Sequence, residues 1–295
     1  MNKYTNKAEC LIIVRGAGDL ATGVIYALWM AGYPVVALET AQPTAIRRAV
    51  ALSEAVYDGM TTVEGMEGVL TDNLEKALQL AGAGKVPVMI DPSGAAIRSL
   101  KPMVVADAVL AKRNLGTRHD MAPLTIALGP GFTAGSADAG ADVDVVVETM
   151  RGHNLGRLIL SGGALPNTGV PGAIAGHAAD RVMHTSAAGV FRCVRSIGDS
   201  VEKGDELAFV ETEAGERVPV KATLRGILRG ILRDGTKVPV HMKAADIDPR
   251  PEERQNCFTI SDKSRSIGNS VLLAVEAWRS GRLHWQSYEK LLQIS

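Results

Sequence analysis

Four apolar residues, Leu11-Ile12-Ile13-Val14, run into Arg15-Gly16-Ala17-Gly18-Asp19-Leu20-Ala21, and this junction constrains the fold more than any other stretch of the chain. A short apolar run bounded by glycine reads as a buried strand. The residues from Leu20 to Met30 read as a helix closed by Gly32. The next apolar run, from Pro34 to Leu38, ends at Glu39. Two apolar strands joined through a helix form a βαβ unit, which implies a parallel sheet. In Gly16-x-Gly18-x-x-Ala21 the first glycine permits the tight turn from strand to helix, and the second lets a pyrophosphate approach the backbone. Alanine at the third position still allows helix and strand to pack closely. Amides at the helix N-terminus would then hold the phosphates. Glu39 stands 21 residues beyond Gly18, where a ribose-binding acid is expected. Asp19 reads either as the helix N-cap or as a group that meets a metal or a sugar hydroxyl.

The alternation continues. Residues 43–56 and 73–80 have helical patterns, and Val86 to Ile90 is strand-like and ends at Asp91-Pro92. Further apolar runs cover 103–109, 124–128, 143–147 and 158–160. Residues 1–165 are therefore expected to form a Rossmann-like, doubly wound α/β domain around a parallel sheet. Ligands of such sheets sit at the carboxyl ends of the strands. That rule nominates Asp91, the Gly129-Pro130-Gly131-Phe132 turn with Gly129 and Gly131, and Glu148, Arg151 and His153 after the run at Val143. Lys112 and Arg118 belong to a basic loop, 112–120, suited to phosphate or carboxylate. His153 is a candidate acid or base. The histidines show no ligand spacing, and no HExxH or zinc pattern is present, so no metal site is expected.

From Gly162 to Gly176 the chain is rich in Gly, Pro, Asn and Thr and reads as a long loop, with Asn167 a candidate to reach a polar ligand. A weak repeat follows: Gly189-Val190-Phe191 and Gly226-Ile227-Leu228 are 37 residues apart, as are Gly198 and Gly235. The phrase from Ile197 to Asp205 resembles the hammerhead motif of biotinyl and lipoyl domains. That likeness implies a small barrel-sandwich hybrid of two similar halves over 180–250. The hairpin expected to carry the modified lysine falls at 212–216 and has none, so no lipoyl or biotinyl group is expected. In the segment 251–295, Ser261 or Asp262 is placed to cap a helix reaching Arg279. Its apolar positions Ile267, Val271, Leu272, Val275 and Trp278 are expected to pack back on the first domain, with Asp262 brought to the ligand edge.

Charge narrows the partners. Lys+Arg and Asp+Glu are 32 each, and aromatic residues are only 4%. Neither a nucleic acid nor an acidic membrane is favoured by that balance, and a base-stacking surface lacks the rings. Three dispersed cysteines, a polar start and the lack of a long apolar run point to a soluble, cytoplasmic protein with free thiols.

Several of these phrases also carry a family resemblance. Arg15-Gly16-Ala17-Gly18-Asp19-Leu20-Ala21-Thr22-Gly23, Pro43-Thr44-Ala45-Ile46-Arg47-Arg48, the stretch Ile126 to Gly135, and Glu148-Thr149-Met150-Arg151-Gly152-His153 are four of them. Pro166-Asn167-Thr168-Gly169, Asp246-Ile247-Asp248-Pro249-Arg250 and Ile260-Ser261-Asp262-Lys263 continue the series. Together they resemble the selenium-dependent molybdenum hydroxylase system proteins. The first domain is also similar to the Rossmann domain of the xanthine dehydrogenase accessory proteins. The resemblance implies a maturation factor that binds a pterin dinucleotide, NAD or an ATP-like nucleotide. Its partners would be a molybdenum hydroxylase or other maturation proteins. It assigns no catalytic residue. The residues alone leave two rivals, an NAD-dependent oxidoreductase and a non-enzymatic scaffold that docks the hydroxylase.

Overall fold

The computed structural model describes residues 6–169, 172 and 174–283, and the chain divides into two compact units. The first is built from the chain up to Ala41, Leu52–Asn167 and the chain from Ser261; the second from Gln42–Ala51 and Thr168–Ile260.

In the first unit, β1 (Ile12–Arg15), α1 (Asp19–Met30) and β2 (Val35–Glu39) form the opening βαβ element. There follow α2 (Ala55–Asp58), β3 (Met60–Val63), β4 (Met66–Leu70), α3 (Leu74–Gly82), β5 (Val86–Ile90) and α4 (Ala95–Leu100). Then come β6 (Val104–Asp107), β7 (Leu124–Leu128), β8 (Val145–Val147) and β9 (Leu158–Ile159). The sheet has nine strands in the order β3-β4-β5-β2-β1-β6-β7-β8-β9. All are parallel except the edge strands β3 and β9, which pair antiparallel with β4 and β8. Every residue of β1, β6, β7 and β8 is buried. Helices and loops cover both faces, which is why these strands read as unbroken apolar runs rather than alternating ones. On one face Ile13, Val36 and Val105 pack with Ala77 and Ala81 of α3 and Ile97 of α4. Right-handed crossovers leaving β1 in the opposite direction put α1 on the other face.

A fifth helix, α5 (Asp262–Arg279), packs along α1. Ser261 caps it, its hydroxyl accepting the Ser264 N–H at 3.1 Å. The two helices meet backbone to backbone: a Cβ on Gly23 would lie 2.6 Å from the Ser264 carbonyl oxygen, and one on Gly268 2.2 Å from that of Gly23. Farther along, the Tyr33 hydroxyl donates to Glu276 and accepts from Arg279, both at 2.8 Å. The helices therefore run parallel, with both N-termini at the carboxyl edge of the sheet.

The second unit holds β10 (Val182–His184), β11 (Gly189–Cys193), β12 (Ser200–Val201), β13 (Glu206–Glu211), β14 (Arg217–Lys221), β15 (Gly226–Ile231), β16 (Lys237–Val238) and β17 (Lys243–Asp248). They form two four-stranded antiparallel sheets, β10-β17-β15-β12 and β14-β13-β11-β16. The halves interlock, because β12 pairs with β15 and β16 pairs with β11. Phe191, Leu207, Val210, Leu228, Ile231 and Ile247 from both sheets share one core. The repeat glycines play the same part in each half. A Cβ on Gly189 would lie 2.1 Å from the Glu211 carbonyl oxygen, and one on Gly226 2.2 Å from that of Asp248.

Residues 43–56 depart from the helical pattern of their sequence. They form 3-10 turns at Arg48–Val50 and Leu52–Glu54 before the short α2. The Ile46 carbonyl accepts the Ile231 N–H at 2.8 Å and Arg48 Nε donates to the Ile231 carbonyl at 2.9 Å. Pairing with β15 satisfies backbone groups that a helix would have withdrawn.

Candidate functional site

The strand order reverses at β1. The chain leaves it through α1 for β2 on one side, and β6, reached from β5 through α4, lies on its other side. Loops on either side of such a point diverge and leave a crevice at the carboxyl ends. Gly16 lies at this point with φ +98°, and a Cβ there would lie 3.0 Å from the Ala108 carbonyl oxygen. The first glycine is thus demanded by the turn and by the neighbouring backbone. Gly18 is different. It is the N-cap of α1 with φ −66°, a conformation open to any residue, and a Cβ would meet nothing within 4 Å. No neighbouring atom requires glycine there, although the N-cap position itself favours it, and the first-turn amides that follow are left without a carbonyl of the same helix. Ala21 is buried.

Glu39, at the end of β2, reaches back to this loop. Its Oε2 accepts the Ala17 N–H at 2.8 Å and its Oε1 the Thr40 N–H at 2.7 Å. Asp19 is not the N-cap: that position belongs to Gly18, and Asp19 is the first helical residue, where its charge suits the helix dipole.

Beneath the loop lies a buried cluster without a local signal in the sequence. Arg15 and Asp107, paired in register at the ends of β1 and β6, are only 3% and 2% exposed, and their closest charged atoms are 3.5 Å apart. Thr117 bridges them: it accepts from Arg15 and donates to Asp107 at 2.5 Å. The second guanidinium nitrogen reaches the carbonyls of Pro92 at 3.1 Å and Leu115 at 3.4 Å. One arginine therefore ties together the loops that follow β1, β5 and β6.

Because β1, β2, β5, β7 and β8 are parallel, Gly16, Glu39, Asp91, Gly129 and Glu148 lie at one edge. Their side chains do different things. Asp91 caps the start of α4, accepting from Ala96 N at 2.8 Å, Ala95 N at 3.1 Å and Ser93 Oγ at 2.7 Å. Burial works against its charge, yet these donors outweigh it and hold the carboxyl below its ordinary range. Glu148 is buried and straps the following loop, accepting from Met150 N at 2.7 Å and Leu165 N at 2.8 Å. Gly129 and Gly131 are required by protein neighbours: a Cβ on them would lie 2.6 Å from Thr149 Oγ1 and 2.5 Å from Arg113 N. Arg151 and Asp262 form a bidentate pair at 2.7 and 2.9 Å, which joins the loop after β8 to the N-terminus of α5. His153, Asn167 and Lys112 are exposed, and Arg118 is paired with Asp120 on the surface. Among the described residues no group of three or more His, Cys, Asp or Glu is placed to hold a metal, and no helix is long and apolar enough to cross a membrane.

Comparison with known proteins gives a sequence relative and several weak structural likenesses. The chain is 49% identical over 266 residues to the uncharacterized protein YqeB of Escherichia coli, a match covering 90% of this chain and 47% of that protein. It is thus a homologue of YqeB and spans about half the length of the relative it matches. No family model matches the chain. Among solved structures, an aspartoacylase family protein from Mesorhizobium loti aligns at 14% identity and a TM-score of 0.28, covering 82% of this chain and 86% of that one. The product-bound ectoine utilization protein EutE from Ruegeria pomeroyi aligns at 14% identity and a TM-score of 0.26, covering 83% and 87%. Scores this low assign neither a fold nor an activity to this chain.

Proposed function

We propose that this chain is an accessory protein for the maturation of a selenium-dependent molybdenum hydroxylase, and that it binds a nucleotide-bearing ligand at the Gly16–Gly18 loop. In this reading the first unit is a Rossmann-like, doubly wound domain. The second is a barrel-sandwich hybrid that docks the hydroxylase or another maturation protein and carries no lipoyl or biotinyl group. The observation that carries the nucleotide site is the open space at Gly18 before the N-terminus of α1. A phosphate there would take first-turn amides and the helix dipole. Glu39, already at the loop, is the acid within reach of a ribose. The maturation role rests on the phrases spread from Arg15 to Lys263 that resemble those accessory proteins. The ligand class is a molybdopterin dinucleotide, NAD or an ATP-like nucleotide.

The test is native mass spectrometry of the purified protein for copurifying small molecules, followed by calorimetric titration with NADH, ATP and a pterin dinucleotide. Saturable binding of one of them at unit stoichiometry supports the reading. Failure of all three to bind sinks it. NADH binding together with turnover of a hydride acceptor would favour the oxidoreductase alternative, for which Glu39 is the specific observation.

A further inference from the structure

The crossovers through α3 and α4 lie on one face of the sheet, and the crossover from β6 to β7 shares that face. It carries no α-helix, only a 3-10 turn at His119–Met121. Between α4 and this thin crossover is a cavity of about 750 Å³. That volume lies within the range of small-molecule sites. Its apolar wall is Ile97, Pro102, Met103 and Met121. Its rim carries Arg98, Lys101 and Arg118 against a single acid, Asp120. Asp120 is engaged by Arg118 through two contacts of 3.0 Å. Arg98 and Lys101 are exposed and make no charged contact within 4 Å among the described residues, although Asp120 also feels the Arg98 charge. His119 also lines the cavity. Its Nδ1 lies 3.3 Å from Asp144 Oδ1, while Thr125 holds the other oxygen of Asp144 through its N–H and hydroxyl, both at 2.8 Å. His119 Nε2 is shut off from solvent, so the ring stands beside the cavity as a reporter and not as a group that a ligand pairs with.

We propose that this cavity is a second ligand site, for a small molecule with an apolar body and one terminal carboxylate or phosphate. The body lies on Ile97, Met103 and Met121, and the anionic group reaches Arg98 and Lys101. The site is independent of the glycine loop and does not rest on the nucleotide reading.

The experiment follows the histidine ring resonances of the full chain by NMR during titration with phenyl phosphate, benzoate, phenol and inorganic phosphate. The chain has six histidines, so the spectrum is sparse, and His119→Gln identifies the His119 signal. The expected result is a saturable shift of His119 with phenyl phosphate or benzoate, and the stronger of the two identifies the anionic group. Affinity should fall at least tenfold in the Arg98→Ala/Lys101→Ala variant, whose replaced side chains are exposed. Gly18→Val should leave it unchanged. No saturable shift with either anion overturns the proposal. So does equal affinity in the double variant, equal binding of phenol, inorganic phosphate binding as tightly as phenyl phosphate, or loss of binding in Gly18→Val.

Discussion

Gly268→Ala is the sharpest test of how the two long helices of the first unit are held. The new methyl would lie 2.2 Å from the Gly23 carbonyl oxygen, and that obstacle is backbone. Relieving it to an ordinary contact of about 3.5 Å means parting α1 and α5 by roughly 1.3 Å. Ile267, Val271 and Val275 of α5 are fully buried. Undocking them would surrender about 1.5–3 kcal/mol for each side chain. A gap of this size forfeits about half of each dispersion contact, so the separation costs about 2–4 kcal/mol. Alanine offsets about 0.5–1 kcal/mol of that through its better helix propensity, leaving a net loss of about 1–3.5 kcal/mol.

Gly82→Ala is the control. Gly82 closes α3, and a Cβ there meets nothing within 4 Å. The same substitution should stabilise by about 0.5–1 kcal/mol. Because the chain has two compact units, urea unfolding should be paired with hydrogen exchange, which reads the helices locally. Exchange should rise over 19–30 and 262–279 in Gly268→Ala and stay unchanged over 182–248. A Gly268→Ala protein as stable as the parent, with unaltered exchange in both helices, would refute the backbone contact and the placement of α5.

Gly18→Val should cost about 1 kcal/mol of stability, because valine is a poorer N-cap than glycine while its Cβ enters open space. Nucleotide affinity measured by calorimetry should fall by at least about tenfold, or 1.4 kcal/mol. Arg15→Met should cost about 3–5 kcal/mol in urea unfolding by leaving Asp107 buried without its cation, and adding Asp107→Asn should recover part of the loss. For Asp91 the folded carboxyl lies below its ordinary value, so its stabilisation is present above the unfolded pKa, near 3.9, and is lost as pH falls through the folded pKa. Asp91→Asn should therefore cost about 1 kcal/mol at pH 7, a typical cap contribution, and the difference from the parent should vanish at the acid end of a pH series.

Local signals carried much of this fold. The strand ending at Glu39, the strand Leu124–Leu128 and the helix capped by Ser261 each follow from periodicity and a capping residue within a few positions. The 37-residue repeat has a counterpart in the structure, since Gly189 of β11 lies against β13 as Gly226 of β15 lies against β17. What was not legible depends on distant partners. Arg15 reads as the last residue of a strand and Asp107 as a polar interruption in an apolar run, yet they meet across 92 residues of chain. Residues 43–56 have helical spacing, but Arg48 bonds to Ile231, 183 residues away, and that pairing overrides local preference. Asp91, Gly129, Gly131 and Glu148 stand out in the sequence only because they follow strands. They do lie there, but they meet backbone amides and neighbouring chain, which no spacing rule distinguishes from a ligand.

The loop itself combines two demands. Gly16 answers the protein, since Ala108 stands against it, whereas no neighbouring atom crowds a Cβ at Gly18. Glu39 connects them, because its bond to the Ala17 N–H engages an amide between the two glycines. A nucleotide entering the crevice would bring both a phosphate acceptor and ribose hydroxyl donors. If the phosphate takes the Ala17 N–H, the Glu39 carboxylate is released to accept from the ribose. One charge-assisted bond is then exchanged for two, and no buried donor or acceptor is stranded along the way. Glu39→Gln separates this exchange from a merely structural bond. The amide oxygen can still accept from Ala17, so the loop should keep its conformation. A neutral oxygen is a weaker acceptor, so selectivity for ribose over deoxyribose nucleotides should narrow. Unchanged selectivity in Glu39→Gln would confine Glu39 to holding the loop.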